Sequence, residues 1–278
     1  MQYIEVPATA AEDDAVVEAI CLHPDWSDHQ EEWLNAYASY RASGGNPWSV
    51  EPGDFDEDVR ERMYKLYDGR RKTAALSKMR DMQLSSCPMC GSLTTGSLDH
   101  HLPREEFQEF SILRVNLVPA CSHCNSSSKG NTFKGDEPER FIHPYYDAWA
   151  GEPLWQVEIK APYPAATFAA SPVPGLDEER TRLVAFHLKH VLGRQFTRSM
   201  ISLWSTYPES LLDALSTYDL ESVINGITID RNRAIRTYGR NSWNAAFFRG
   251  LLANADAIEH VRMKIALVLA NLAFGVAD

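Results

Sequence analysis

Two things are nearly missing from this 278-residue chain: cysteine outside two Cys-x-x-Cys pairs, and positive charge in its first 59 residues. Only Cys21 stands apart from the pairs Cys87/Cys90 and Cys121/Cys124, and its apolar neighbours Ile20 and Leu22 mark it as a small buried hydrophobe. So few thiols exclude a disulfide scaffold, and without a basic, apolar leader their pairing favours metal. Long apolar runs are also lacking. The longest, residues 265–277, is interrupted by Asn271 and follows Arg262 and Lys264, so it is too short for a bilayer and reads as a buried C-terminal helix. The expectation is a cytoplasmic protein with no membrane contact. No internal repeat and no low-complexity tract occurs.

What is present describes a folded globular chain. Hydrophobic residues make up 44% and charged residues 23%, which excludes the disordered and fibrous classes, and the length suits one large or two small domains. The net charge of -11 is unusual for a protein that handles nucleic acid, so its distribution decides. Residues 1–59 hold one Lys or Arg against fourteen Asp or Glu, residues 60–140 are net +3, and residues 141–278 are net -1. The acidity belongs to the first fifth, and a phosphate-bearing substrate is not excluded. That acidic segment reads first as solvated surface; the alternatives are a docking face for a basic partner and an occupant of a nucleic-acid groove.

Periodicity divides the chain into three regions. Residues 1–82 begin with a short strand at 3–6 and a helix over 11–22. A second helix follows a Ser27-Asp28 cap, with Trp33, Leu34, Tyr37 and Tyr40 at helical spacing, and a third runs from Val59 through Arg70-Arg71-Lys72 towards Met79. In residues 83–147 the helical period disappears; 92–101 reads as hairpin-like with Gly96 near its turn, and 126–133 as a short helix. Residues 148–278 open with a strand over 154–159 and continue as helices over 177–191, 194–206, 208–217, 229–238, 242–254 and 256–275. Trp243, Phe247, Phe248 and Phe274 are candidates for the core of that bundle.

Cys87, Cys90, Cys121 and Cys124 form CxxC-x30-CxxC, which suits a tetrahedral Zn2+ closed by four thiolates. Such a site leaves no coordination position for water, so the expected zinc is structural. Between and after the knuckles come Leu98-Asp99-His100-His101-Leu102-Pro103, Asn116, Asn125 directly after the last cysteine, Lys129-Gly130, and His143-Pro144-Tyr145-Tyr146-Asp147. An imidazole titrates near neutrality and serves as a base once its tautomer is fixed, by a backbone carbonyl or by Asn116. One carboxylate with one amide oxygen makes a hard, undercharged site suited to Mg2+ or Mn2+.

In motif order, L-D-H-H-L-P-R, N-L-V-P, C-S-H-C-N, K-G resembles the HNH endonuclease superfamily, in the subset with a four-cysteine zinc site. It is most similar to bacterial members reading LDHYLPK, NLVP, CxxCN, KG and an HPYFD-like string. The likeness covers residues 86–147. It implies an α+β fold: a zinc-stapled ββα-metal core between mainly helical N- and C-terminal regions. It also implies that Asp99 and Asn125 hold a catalytic divalent ion, that His100 is the general base, and that Asn116 holds the loop over that base.

Two positions depart from the pattern. His101 stands where tyrosine or an aliphatic residue is usual, and Arg104 where lysine is usual. Neighbouring residues of an extended segment point to opposite faces, so only one of His100 and His101 faces the metal, and motif register selects His100. His101 then reads as a packing or phosphate-contacting residue. Arg104 keeps a cation suited to phosphate. Lys129, placed one turn after Asn125, is the strongest of nine candidate phosphate contacts, with Arg70, Arg71, Lys72, Lys78, Arg80, Arg104, Arg114 and Lys134. His143 reads as a packing residue, with support of the site from outside its ligands as the alternative.

The resemblance implies metal-dependent hydrolysis of DNA phosphodiester bonds leaving 5′-phosphate and 3′-hydroxyl ends, with RNA left open, and suggests a bacterial defence or toxin effector. The competing reading is a non-catalytic zinc-ribbon module that binds nucleic acid or a partner protein. Any protein partner or second copy of the chain would dock through the helical regions or the acidic N-terminal region.

Overall fold

Trp33, Tyr37 and Tyr40 are spaced so that a helix brings their rings to one face. In the computed structural model that helix is α2, Gln30–Ser43, and the three rings are buried. The structure describes residues 1–125, 129–212 and 214–273. Among these it is α+β, mostly helical, with two small antiparallel sheets. No helix of the described residues is long and apolar enough to cross a membrane.

The chain divides into two units. The first comprises Met1–Cys90, Thr94–Gly151 and Asp177–Val191, the second Gly91–Leu93, Glu152–Leu176 and Leu192–Asp278.

In the first unit, α1 (Ala10–Cys21) opens on a capping box in which Thr9 and Glu12 satisfy each other's backbone N–H. Helices α3 (Glu57–Arg70) and α4 (Ala74–Arg80) precede the strands β1 (Ser97–His100) and β2 (Leu117–Ala120). The strands pair antiparallel with Asp99 opposite Val118 and His100 opposite Leu117. The loop between them is held from two sides. On one, Trp33 Nε1 donates to the Glu109 carbonyl at 2.9 Å, and the Tyr40 and Phe110 rings meet edge to face at 4.9 Å. On the other, Ser111 Oγ donates to the Met63 carbonyl of α3 at 2.6 Å. Each large apolar side chain buried here stabilises by roughly 1.5–3 kcal/mol. Leu76 and Met79 of α4 pack with Leu98 and Leu117 beneath the strands. The later helix α5, Glu178–Val191, also belongs to this unit: His187 Nε2 donates to the Met89 carbonyl at 2.7 Å, while its Nδ1 accepts from Ile142 N at 3.0 Å.

Several local expectations change here. Residues 3–6 form no strand; Ile4 N instead donates to the Pro144 carbonyl at 2.9 Å. Residues 92–101 are not a self-contained hairpin, because β1 takes its partner from 117–120. Of the helix expected over 126–133, residues 126–128 lie outside the described residues, 129–132 form a turn closed by Thr132 N on the Lys129 carbonyl, and Phe133 is irregular.

The second unit is a hairpin, β3 (Trp155–Lys160) and β4 (Thr167–Pro172), with α6 (Arg194–Leu212), α7 (Leu220–Tyr238), α8 (Trp243–Leu252) and α9 (Ala255–Ala273). Trp155, Val157 and Ile159 alternate inward along β3. α8 lies directly on that strand because Gly250 has no Cβ; one would strike the Val157 carbonyl. Gly226 likewise admits Leu211 of α6 against α7. The expected break between 206 and 208 is absent, since Pro208 sits inside the last turns of α6, where it removes a single N–H. α7 starts well before the expected residue 229, capped by Asp219, whose carboxylate accepts from Ser222 N at 2.8 Å. Trp243, Phe247 and Phe248 are buried, and Phe274 lies outside the described residues.

Candidate functional site

Asp99 and His100 end β1 beside a cleft of about 340 Å³. Asn125, Lys129 and Arg104 line the same cleft, so five of the sequence-selected residues converge on it, together with Tyr67, Glu105 and Asn131, which were not selected.

The half-buried His100 has its Nε2 2.9 Å from the Ser111 carbonyl. A carbonyl only accepts, so the proton is on Nε2 and the lone pair on Nδ1. The Tyr67 ring meets the imidazole edge to face at 4.7 Å. Burial pushes His100 down to about 4, reinforced by Arg104 and Lys129 and opposed by the Ser111 carbonyl. At neutral pH the ring is therefore an uncharged base.

Asp99 is 4% exposed, and its Oδ2 has no hydrogen bond among the described residues. Burial raises its carboxyl to about 6, with Lys129 opposing. The Lys129 ammonium lies 3.3 Å from that oxygen and donates to the His100 carbonyl at 2.6 Å, with its side chain 1% exposed. Lys129 thus binds the C-terminal end of β1 and is not a solvated arm. Asn125 Nδ2 donates to Ser97 Oγ at 2.6 Å, which leaves Oδ1 as its ligating atom. A buried carboxylate oxygen met by one ammonium, and an amide oxygen at the same cleft, are of the hard donor type that a divalent ion takes.

Asn116 is fully buried and lies off the cleft. Its Nδ2 donates to the carbonyls of Leu102 (3.0 Å) and Phe110 (3.2 Å), and its Oδ1 accepts from Leu102 N at 2.8 Å. These bonds close the loop after β1. His101 also lies off the cleft, 2% exposed, with its ring 4.0 Å from that of His143. Of the two roles open to it, packing matches this position and phosphate contact does not. Burial, with His143 beside it, holds it well below the usual histidine range.

The four cysteines are buried, with sulfurs all within 4.8 Å of one another. Cys90 and Cys121 sulfurs are 3.7 Å apart, far beyond a disulfide bond but close to the ~3.8 Å edge of a tetrahedron with Zn–S bonds of ~2.3 Å. Cys121 N donates to Cys87 Sγ and Cys124 N to Cys121 Sγ, which favours thiolates. The cluster can hold a zinc ion. Cys21 is buried apart from it.

Of the nine candidate phosphate contacts, Arg104 and Lys129 line the cleft. Arg104 stacks on Tyr64 at 4.1 Å and pairs with Asp68 at 3.1 Å. Arg114 is committed to buried Asp13, and Lys134 stacks on Trp48. Tyr67, not selected from the sequence, packs against the Leu76–Met79–Leu98–Leu117 cluster, and its spacing of three residues from Tyr64 puts both rings against Arg104. The Ser111 carbonyl carries no sequence signal.

No family model matches this chain, and no solved structure matches it. Protein ea31 of Escherichia phage lambda is 36% identical to it over 105 residues, a match that spans 36% of this chain and about a third, 36%, of that protein.

Proposed function

We propose that this chain is a metal-dependent endonuclease of the HNH type that hydrolyses DNA phosphodiester bonds. The observation that carries the reading is the His100–Ser111 hydrogen bond at a cleft also lined by Asp99 and Asn125. A base needs a fixed tautomer and a lone pair at the reacting face, and that bond supplies the tautomer. Asp99 and Asn125 would hold Mg2+ or Mn2+, which when bound polarises the scissile phosphate and neutralises the leaving oxygen. His100 Nδ1 takes the proton of the attacking water. Lys129 keeps the Asp99–His100 peptide in place and offsets the buried carboxylate, and Arg104 contributes positive charge for a phosphate. The zinc cluster holds the strands that carry these groups and takes no part in the chemistry.

The alternative, a non-catalytic zinc module that binds nucleic acid or protein, draws on the four-cysteine cluster alone. Supercoiled plasmid incubated with the purified chain and a panel of Mg2+, Mn2+ and chelator separates the two. The nuclease reading expects nicked or linear product with a divalent ion and none with chelator. Plasmid bound but intact under every metal would support the zinc module.

A further inference from the structure

We infer that Tyr40 and His143 are positioning residues for His100: His143 Nε2–H donates to Tyr40 Oη, Tyr40 O–H donates to Asn116 Oδ1, and Asn116 fixes the loop whose Ser111 carbonyl holds the imidazole. The functional consequence rests on the nuclease reading; the geometric one does not.

The direction of each bond follows from valence. Tyr145 N donates to His143 Nδ1 at 3.2 Å, so Nδ1 is the acceptor and the proton is on Nε2. Nε2 lies 3.1 Å from Tyr40 Oη, which accepts, with the Val115 carbonyl as a second acceptor beside it. The single tyrosine proton then goes to Asn116 Oδ1 at 3.0 Å in preference to the Val115 carbonyl at 3.5 Å. Asn116 Oδ1 takes a second bond from Leu102 N, and Nδ2 gives two to Leu102 and Phe110. With two bonds accepted and two given, the carboxamide cannot turn over without losing all four. Phe110 is followed by Ser111, whose carbonyl receives His100 Nε2.

The far end is anchored too. His143 N donates to Asp147 Oδ2 at 2.6 Å, and Arg140 grips Asp147 with two bonds of 2.6 and 2.9 Å. Tyr40, Asn116 and His143 are all fully buried, so water does not replace a missing partner. Tyr40 enters from α2, 76 residues before Asn116, so a helix well upstream of the motif supports its reacting end.

Tyr40→Phe keeps the ring and deletes the relay. Imidazole 15N shifts report the His100 tautomer, and plasmid cleavage reports kcat and KM, with zinc content and thermal unfolding as fold controls. The expected result is a mixture of His100 tautomers and a kcat lower by ~10-fold or more at unchanged KM. A folded variant with the parental tautomer and kcat within about two-fold overturns the inference. His143→Gln retains a donor at the Nε2 position and is expected to keep tautomer and rate, whereas His143→Leu should lose both; equal behaviour of the two also overturns it. If Tyr40→Phe fails to fold, the His143 pair decides alone. If the parent chain cuts no DNA, the nuclease reading falls, and the tautomer comparison still judges the relay.

Discussion

The cysteine cluster and the Asp99 cleft flank one short sheet and are built on opposite principles. Around the cysteines the ligand set is complete: four buried sulfurs within 4.8 Å, and backbone N–H groups already donated to two of them. At the cleft the set is unfinished. Asp99 Oδ2 faces the Lys129 ammonium at 3.3 Å and has no hydrogen bond of good geometry among the described residues, the His100 lone pair is on Nδ1, and the Asn125 amide nitrogen is committed to Ser97. A closed set stores folding energy, whereas an open set in a structure held rigid elsewhere is suited to bind and react. On the proposed reading, the first site serves stability and the second chemistry.

Breaking the closed site should have the largest effect. Cys121→Ser is expected to abolish zinc binding and unfold the first unit, because structural zinc supplies apparent free energies of ~10–16 kcal/mol. Zinc stoichiometry and near-ultraviolet circular dichroism measure this; a folded, zinc-free variant would erase the distinction between the sites. At the open site, Asp99→Asn should keep zinc and fold while cleavage falls on the order of 100-fold or more. Should it lose zinc instead, the two sites are not separable.

Legibility followed the same divide. The Cys-x-x-Cys spacing lies in the sequence itself, as does Asn125 beside Cys124, so the zinc ligands and the candidate cleft residues could be selected locally. The supports could not. Nothing near Tyr40 marks its hydroxyl as a partner of Asn116, since helical periodicity reports only that its face is buried. The start of α7 was hidden because Gly226 weakens the helical pattern, yet its missing side chain is what lets Leu211 approach. β4 escaped notice because its segment, Thr-Phe-Ala-Ala-Ser-Pro, has little alternation and pairs through backbone alone with β3. Burial of Lys129 was also hidden: a cation near the motif looked like a solvated phosphate contact, and although it lines the cleft it pairs with Asp99 and the His100 carbonyl of β1.

Smaller effects sharpen the comparison. Arg104→Ala should weaken DNA binding at all sequences and reduce the slope of log affinity against log salt by about 1, with a small loss of stability from its contacts to Tyr64, Tyr67 and Asp68. An unaltered slope would remove Arg104 from the substrate path. The smallest effect belongs to Glu109, which lines neither site and whose Oε1 accepts from Gly53 N at 2.9 Å. Burial raises its carboxyl from the ordinary 4.5 to about 7, with the Gly53 N–H and Arg60 opposing. The folded state therefore holds this proton more tightly than the unfolded state. Its contribution to stability is present in full below 4.5 and is lost as pH rises through about 7. Glu109→Gln should flatten the fall in unfolding free energy across that window, as measured by denaturant titration; an unchanged fall would assign it to other groups.

The most direct measurement is the plasmid cleavage rate of His100→Ala, with zinc content and melting temperature determined on the same sample. If the closed site holds and the open site reacts, the variant retains its zinc and its melting temperature while its rate falls by ~10²–10⁴-fold. Cleavage at the parental rate in a folded, zinc-loaded His100→Ala chain would contradict that division.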